Sequence, residues 1–212
     1  MNALVVGDVH GCYHTLKSLI KVHWRPDEAL VLVGDLINKG KFSVRTVRYV
    51  RKLQQKNPGR VTVLLGNHEH DLVKAHEHDR KSPRLKRFKR GLRQRNMSPR
   101  KIIRWMRNLP LKWETSQVLV THAGVCHMVK QPYNAGHPFG VVHNRSQIKN
   151  IGKLQVYGHI VQEHGEPHYD EEANAWCIDS GAWLGKGLTA LRIDASSDSV
   201  KIIRQPTHNA DL

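Results

Sequence analysis

Two aspartates, one asparagine and three histidines share one kind of place in this 212-residue chain, just beyond the end of a short apolar run. Leu4-Val5-Val6 leads into Gly7-Asp8-Val9-His10, Val31-Leu32-Val33 into Gly34-Asp35, and residues 61–65 into Gly66-Asn67. Val118-Leu119-Val120 leads into Thr121-His122, and residues 154–157 into Gly158-His159. Carboxylate, amide carbonyl and imidazole suit manganese, iron, zinc or magnesium, and the set has no thiolate. Six such groups are too many for one ion that must keep positions open for water and substrate. They suit two ions about 3.5–4 Å apart that share a bridging carboxylate and activate the water between them. Phosphoryl hydrolysis by a bridging hydroxide is the chemistry such pairs most often serve.

Groups so far apart in sequence meet only if the elements carrying them end on one crevice. Runs of Val and Leu of this length read as buried strands, and a glycine after a strand lets the backbone turn sharply. In an open α/β sheet the residues just past the strand ends converge. The first half alternates strand and helix, with helices expected over residues 12–23 and 43–55 and from near Glu69, Ser43 serving as N-cap of the second. That order implies a parallel sheet with right-handed crossovers. After Leu109-Pro110 the pattern turns to strands, at residues 111–115, 117–121, 154–157, 175–179, 187–193 and 200–204, expected to build a second sheet facing the first. Residues 130–150 read as a loop over the site and residues 207–212 as a frayed tail.

One domain spanning 1–212 is expected from the length. No run approaches the roughly 18 apolar residues of a membrane span, so no membrane partner is expected. Cys12, Cys126 and Cys177 form no CxxC pair and suit a reducing compartment, which points to the cytoplasm. The formal charge is +16, and residues 80–107 hold thirteen Lys or Arg with no Asp or Glu. Residues 80–108 therefore read as a basic helical insert, with Ser98-Pro99 starting its second helix. Such a charge either lies solvated or draws a polyanion, RNA among the candidates, by a field that weakens with salt. Phe88 and Trp105 are its possible stacking groups, Trp105 at a spacing that suits the core.

The strings Gly7-Asp8-Val9-His10-Gly11, Gly34-Asp35-Leu36, Gly66-Asn67-His68-Glu69, His122-Ala123-Gly124 and Gly158-His159 resemble the successive signatures of the calcineurin-like metallophosphoesterases. Within them the chain resembles the phosphoprotein phosphatase branch, notably phage- and bacterial-type serine/threonine phosphatases and symmetrical diadenosine tetraphosphatase-like enzymes. Ile178-Asp179-Ser180-Gly181-Ala182 also fits that branch. The resemblance implies an α/β fold of two mixed β-sheets packed face to face and flanked by helices. It implies one metal on Asp8, His10 and Asp35 and another on Asp35, Asn67, His122 and His159, with manganese first and iron, zinc, magnesium, nickel or cobalt as alternatives. His68 is implied to protonate the leaving oxygen, and Arg145 to grip phosphate.

The chain departs from the branch at Gly34-Asp35-Leu36-Ile37-Asn38-Lys39-Gly40, where the branch reads Gly-Asp-x-x-Asp-Arg-Gly. Asn38 can orient His68 but brings no charge to favour the imidazolium, so a lowered His68 pKa is expected. Lys39 meets phosphate as a point charge without the fork of Arg. Glu69 reads as a favourable charge at a helix start, and His70, His76 and His78 as surface residues, while His143 could line the substrate pocket. The expected activity is dinuclear hydrolysis of phosphomonoesters, phosphoserine or phosphothreonine in proteins included. The alternatives are hydrolysis of phosphoanhydrides such as diadenosine tetraphosphate or polyphosphate, and a nucleic-acid-binding module with a vestigial site.

Overall fold

The computed structural model describes residues 2–194 and 199–212. Strands β1 (Ala3–Val6), β2 (Ala29–Leu32) and β3 (Val61–Val63) lie parallel in that order, and helices α1 (Tyr13–His23) and α2 (Ser43–Lys56) make the crossovers between them. Three helices follow, α3 (Asn67–His78), α4 (Pro83–Arg93) and α5 (Pro99–Arg107). Strands β4 (Lys112–Glu114), β5 (Val118–Thr121), β6 (Leu154–Tyr157), β7 (His168–Asp170) and β8 (Ala175–Cys177) form the second sheet in the order β4-β5-β6-β8-β7. Both five-stranded sheets are mixed, with helices flanking them, as the resemblance implied.

The continuous apolar character of β1 and β2 follows from burial on both faces. Leu4, Val6, Leu30 and Leu32 pack toward the helices with Leu16, Val47 and Leu85. Their alternates Val5 and Val31 face the other way and share a second core with Val120, Val156 and Leu191. The sheets are thus glued by one set of side chains while the helices are held by the other.

Three expectations need correction, and one strand was not foreseen. Strands β9 (Leu188–Ile193) and β10 (Val200–Gln205) do not join the second sheet: β9 pairs antiparallel with β1, and β10 lies outside it. Their pairing covers the otherwise open edge of β1, a tertiary choice that strand pattern alone does not encode. Strand β7 has no apolar alternation to betray it, since its residues are exposed or half-buried. Ser43 does not cap α2; its hydroxyl accepts the Asn38 N–H at 2.9 Å instead. The C-terminal residues are not frayed, because Asp211 is buried and its carboxylate accepts from Thr15 N and Oγ1, both at 2.7 Å. That carboxylate satisfies free N–H groups at the start of α1, where α1 itself offers no acid.

Helices α4 and α5 carry the basic segment, and Ser98 accepts the Lys101 N–H as a cap of α5. Leu85, Phe88 and Leu92 of α4 and Ile102, Ile103 and Met106 of α5 are buried against the main core. Phe88 is thereby largely withdrawn from base stacking. Trp105 is half-buried and donates to Gln54 Oε1 at 3.0 Å.

Candidate metal centre

The turns after β1, β2, β3, β5 and β6 bring the six candidate ligands into one buried pocket. His10 Nε2 lies 3.4 Å from Asp35 Oδ2 and 3.9 Å from Asp8 Oδ2, and His122 Nε2 lies 3.6 Å from Asp35 Oδ1. Asn67 Oδ1 sits 3.1 Å from His122 Nε2 and 3.0 Å from His159 Nδ1. The backbone closes the arrangement: Asp35 Oδ1 accepts from His68 N, and Asp8 Oδ2 from His159 N.

Such convergence requires unusual backbone. His10, Asp35, Asn38, Lys39 and His159 all have positive φ, from 44° to 72°, and they are five of the seven non-glycine residues so disposed among the described residues. Left-handed conformations in side-chain-bearing residues are costly and persist where surrounding contacts over-determine them. Gly158 shows how tight the packing is, because a Cβ there would lie 2.1 Å from Asp8 Oδ1.

Glu69 supplies one of those contacts, and here the structure overrides the sequence reading. It is fully buried, and its two carboxylate oxygens accept the N–H groups of Asp35 at 2.8 Å and Leu36 at 3.0 Å. It is a positioning residue for Asp35, not a solvated helix-start charge. A Glu three positions into α3, two after a candidate ligand, was the available signal.

Two histidines are fixed by backbone acceptors. His10 Nδ1 donates to Ile37 O and His122 Nδ1 to Val33 O, each at 3.0 Å, which leaves both Nε2 lone pairs facing the pocket. Burial, first of all, holds His10 down to about 2, His122 to about 3 and His159 to about 2, so all three are neutral imidazoles at pH 7. Burial likewise raises Asp35 to about 6 and lifts Asp8 well above the carboxylate range, with neighbouring carboxylates adding to the effect on Asp8. Neutral imidazoles beside carboxylates that resist ionisation are what a cation would relieve.

The donor set passes further tests for divalent ions. Asp8 Oδ1, His10 Nε2 and His159 Nε2 are buried without a hydrogen-bond partner. His122 Nε2 and Asn67 Oδ1 present lone pairs to each other, a contact favourable only with a cation between them or the amide turned over. Asp35 belongs to two potential ligand groups, one with His10 and His68 and one with Asp8 and His122.

Around this pocket stand the other sequence candidates. His68 Nε2 lies 3.8 Å from Asp35 Oδ2, and Asn38 Nδ2 lies 2.8 Å from His68 Nδ1. Burial lowers the His68 pKa, with Lys39 and Arg84 adding to the effect and Asp35 opposing it. Lys39 places its ammonium 4.9 Å from the Trp183 ring centroid, and its charge acts on Asp8, Asp35 and His10. Arg145 is exposed on the 130–150 loop, near enough to depress His159. Asp179, given no role by the sequence, is buried with Oδ2 unpartnered and has its pKa raised to about 6, first by burial. Its charge adds to the rise at Asp8, so it is a further acid of the centre.

Candidate oxygen and imidazole ligands on strand ends, with a half-buried imidazole and two cations at the rim, are the parts a metal-dependent hydrolase needs. The chain belongs to the calcineurin-like phosphoesterase family, whose model matches residues 1–184. It is 32% identical over 129 residues to a symmetrical bis(5'-nucleosyl)-tetraphosphatase of Erwinia tasmaniensis, a stretch covering 59% of this chain and 45% of that protein. The chain thus spans less than half the length of the curated relatives it matches. Among solved structures it resembles a cold-active protein-tyrosine phosphatase of a Shewanella species, with TM-score 0.70 at 18% identity over 98% of this chain and 80% of that one. A metallophosphoesterase of Sphaerobacter thermophilus gives TM-score 0.63 at 18% identity over 100% and 91%. These two likenesses speak for the fold.

Proposed function

We propose that the chain hydrolyses phosphoryl bonds with two divalent ions, manganese first among them, held by Asp8, His10 and Asp35 and by Asp35, Asn67, His122 and His159. The observation that carries this reading is Asp35, whose two oxygens lie 3.4 Å from His10 Nε2 and 3.6 Å from His122 Nε2, one toward each proposed set, in a pocket whose buried lone pairs lack partners. When bound, the ions would supply an activated water and neutralise phosphate charge. The protein's own part is to hold Asp35 rigid through Glu69, to grip phosphate oxygens with Lys39 and Arg145, and to deliver a proton from His68 to the leaving oxygen. Asn38 orients that imidazole through Nδ1, which must donate when His68 is protonated, so the amide then turns its oxygen toward the ring.

Phosphomonoesters, phosphoserine and phosphothreonine included, are the simplest substrates of such a site. A specific feature favours phosphoanhydrides over them. A cavity of about 620 Å³ opens beside His68 and Asn38, and Lys39, Lys41, Arg45, Arg84, Arg87 and Arg95 line it with no acidic residue. A leaving group protonated by His68 would extend into that cavity, and six cations suit one that itself carries phosphates. The name of the Erwinia relative agrees with this reading. A longer polyanion such as RNA could follow residues 80–107 outward. Three free, buried cysteines fit a cytoplasmic setting, and no described helix is long and apolar enough to cross a membrane.

The test is turnover of p-nitrophenyl phosphate, a phosphopeptide, diadenosine tetraphosphate and polyphosphate, with manganese added. Metal-dependent hydrolysis, with the anhydrides preferred, is expected. A protein that binds polyanions yet hydrolyses none of the four would instead support a vestigial site.

A further inference from the structure

Where α3 meets the 130–150 loop, a second set of metal-binding atoms lies outside the centre described above. His70 Nδ1 and His143 Nε2 are 2.8 Å apart with their rings inclined at 55°. A carboxylate oxygen of Asp71 completes a group whose atoms all lie within 4.8 Å of one another. Both imidazoles are half-buried and Asp71 is open to solvent, so an ion could enter from outside without passing through the phosphate-binding side.

Two neutral imidazoles can share a single N–H···N bond and act only as a tether. The pair is also close to the spacing of two ligands on one ion: bonds of about 2.0–2.1 Å place two nitrogens roughly 2.9 Å apart at a right angle and roughly 3.4 Å apart at the tetrahedral angle of zinc, so the rings need open by only a few tenths of an ångström to seat it. The carboxylate tips the choice, because a tether has no use for Asp71, whereas two histidines and one carboxylate with open positions form a recurrent transition-metal set. Asp71 is also the acid whose charge acts most on His143. Lys74, one turn along α3, works against a cation at both histidines. Its flexible side chain makes the site weaker than the main centre without closing it.

We propose that His70, Asp71 and His143 bind a third divalent ion of the zinc, cobalt or nickel class at the rim of the centre. The ion would clamp α3 to the loop that carries Arg145, and Lys74, His143 and Arg145 already line one shallow cavity there. Occupancy would therefore couple to how Arg145 is presented to phosphate.

Protein stripped with chelator and titrated with zinc alone tests this, by metal content per chain after desalting. His70→Ala/His143→Ala should hold one zinc fewer than the unaltered protein. His143→Gln should lose the same equivalent, and it keeps a polar side chain should the double variant fail to fold. Lys74→Ala should keep the count and bind the last equivalent several-fold more tightly. Equal counts in the unaltered protein and in His143→Gln would overturn the proposal. So would an equal loss in His78→Ala, which would mark adventitious binding to surface histidines. Asp35→Asn reports separately on the main centre: an unchanged count there would sink the dinuclear reading and leave the rim comparison intact.

Discussion

The two walls of the proposed active site are built on opposite principles. The strand-end wall is buried, with Asp8, His10, Asp35 and His122 at most 2% exposed, and its backbone is held in conformations that tolerate little change. The α4 wall is solvent-facing, with six Lys or Arg among eleven residues and no acid. Of the thirteen cations in residues 80–107, only Arg107 forms an ion pair among the described residues, with Glu77. Precision belongs to the first wall, where atoms must meet an ion to within tenths of an ångström. The second works by summed charge, which falls off gradually and survives a change in any one side chain.

The contrast breaks most readily at Asp35. Asp35→Asn should lower turnover of every substrate about 10³-fold, some 4 kcal/mol of transition-state stabilisation, and metal content should fall with it. A variant that kept its metal and lost little rate would mean that the strand-end wall is not the centre. Next comes Glu69→Ala, which strands two buried N–H donors; at about 1–3 kcal/mol each, the loss should be near 3 kcal/mol by denaturant titration. If stability hardly moves, Asp35 does not depend on Glu69 for its left-handed turn.

Metal removal should act on the same wall to a similar degree. Each ion held at about 100 times its dissociation constant adds roughly 2.7 kcal/mol, or about 5–10 °C in Tm per site for a chain of this length. The sign with pH follows from the carboxylates. The folded-state pKa values of Asp8 and Asp35 lie above their unfolded ones. Their contribution in the metal-free protein is therefore complete only at low pH and is lost as pH rises through about 6, the value for Asp35. Bound ions need the same groups deprotonated. The Tm gap between loaded and chelated protein should widen from pH 5.5 to pH 8, and a gap that narrowed would contradict the ligand assignment.

On the α4 wall effects should be smaller and selective. Arg84, Arg87 and Arg95 replaced together by Gln should raise KM for polyphosphate and diadenosine tetraphosphate about tenfold, roughly 1.4 kcal/mol, while p-nitrophenyl phosphate is spared. Lys86 and Arg90 are exposed on the same helix but do not line the cavity, so their replacement serves as the control. Added salt should shrink the first effect. Equal changes for all substrates would remove the cavity from leaving-group recognition.

This difference between the walls also explains what the sequence could reveal. Asp8, Asp35, Asn67 and His159 were legible because a buried strand followed by glycine and a ligand residue is a local pattern. Glu69 was not, since a carboxylate in a first helical turn has an ordinary solvated use and only the fold turns it inward. Asp179 was visible as part of a motif, but its proximity to Asp8 depends on how the sheets pack. For α4 the count of cations could be read directly. Which of them face His68 is a matter of helix phase against a distant loop, so Arg84 and Arg87, with Arg95 in the turn after α4, separate from Lys86 and Arg90 only in three dimensions. The placement of β9 beside β1 was hidden for the same reason.

The smallest expected effect sits where the walls meet, at Asn38. Its φ of 68° lies in a region that Asn and Asp both tolerate, and Ser43 pins its N–H, so Asn38→Asp should leave the backbone in place. Burial depresses His68, and the cations Lys39 and Arg84 press in the same direction. An acid must hold its proton to act, so activity should fall as pH rises through that lowered pKa. A carboxylate 2.8 Å from Nδ1, where the amide now stands, favours the imidazolium and raises the pKa. The alkaline limb of the kcat/KM profile should then move to higher pH for the phosphopeptide, whose alkoxide leaving group needs the proton. A limb that stays put would show that His68 is not the group losing its proton there, and would return the leaving-group side of the site to Lys39 and the basic wall.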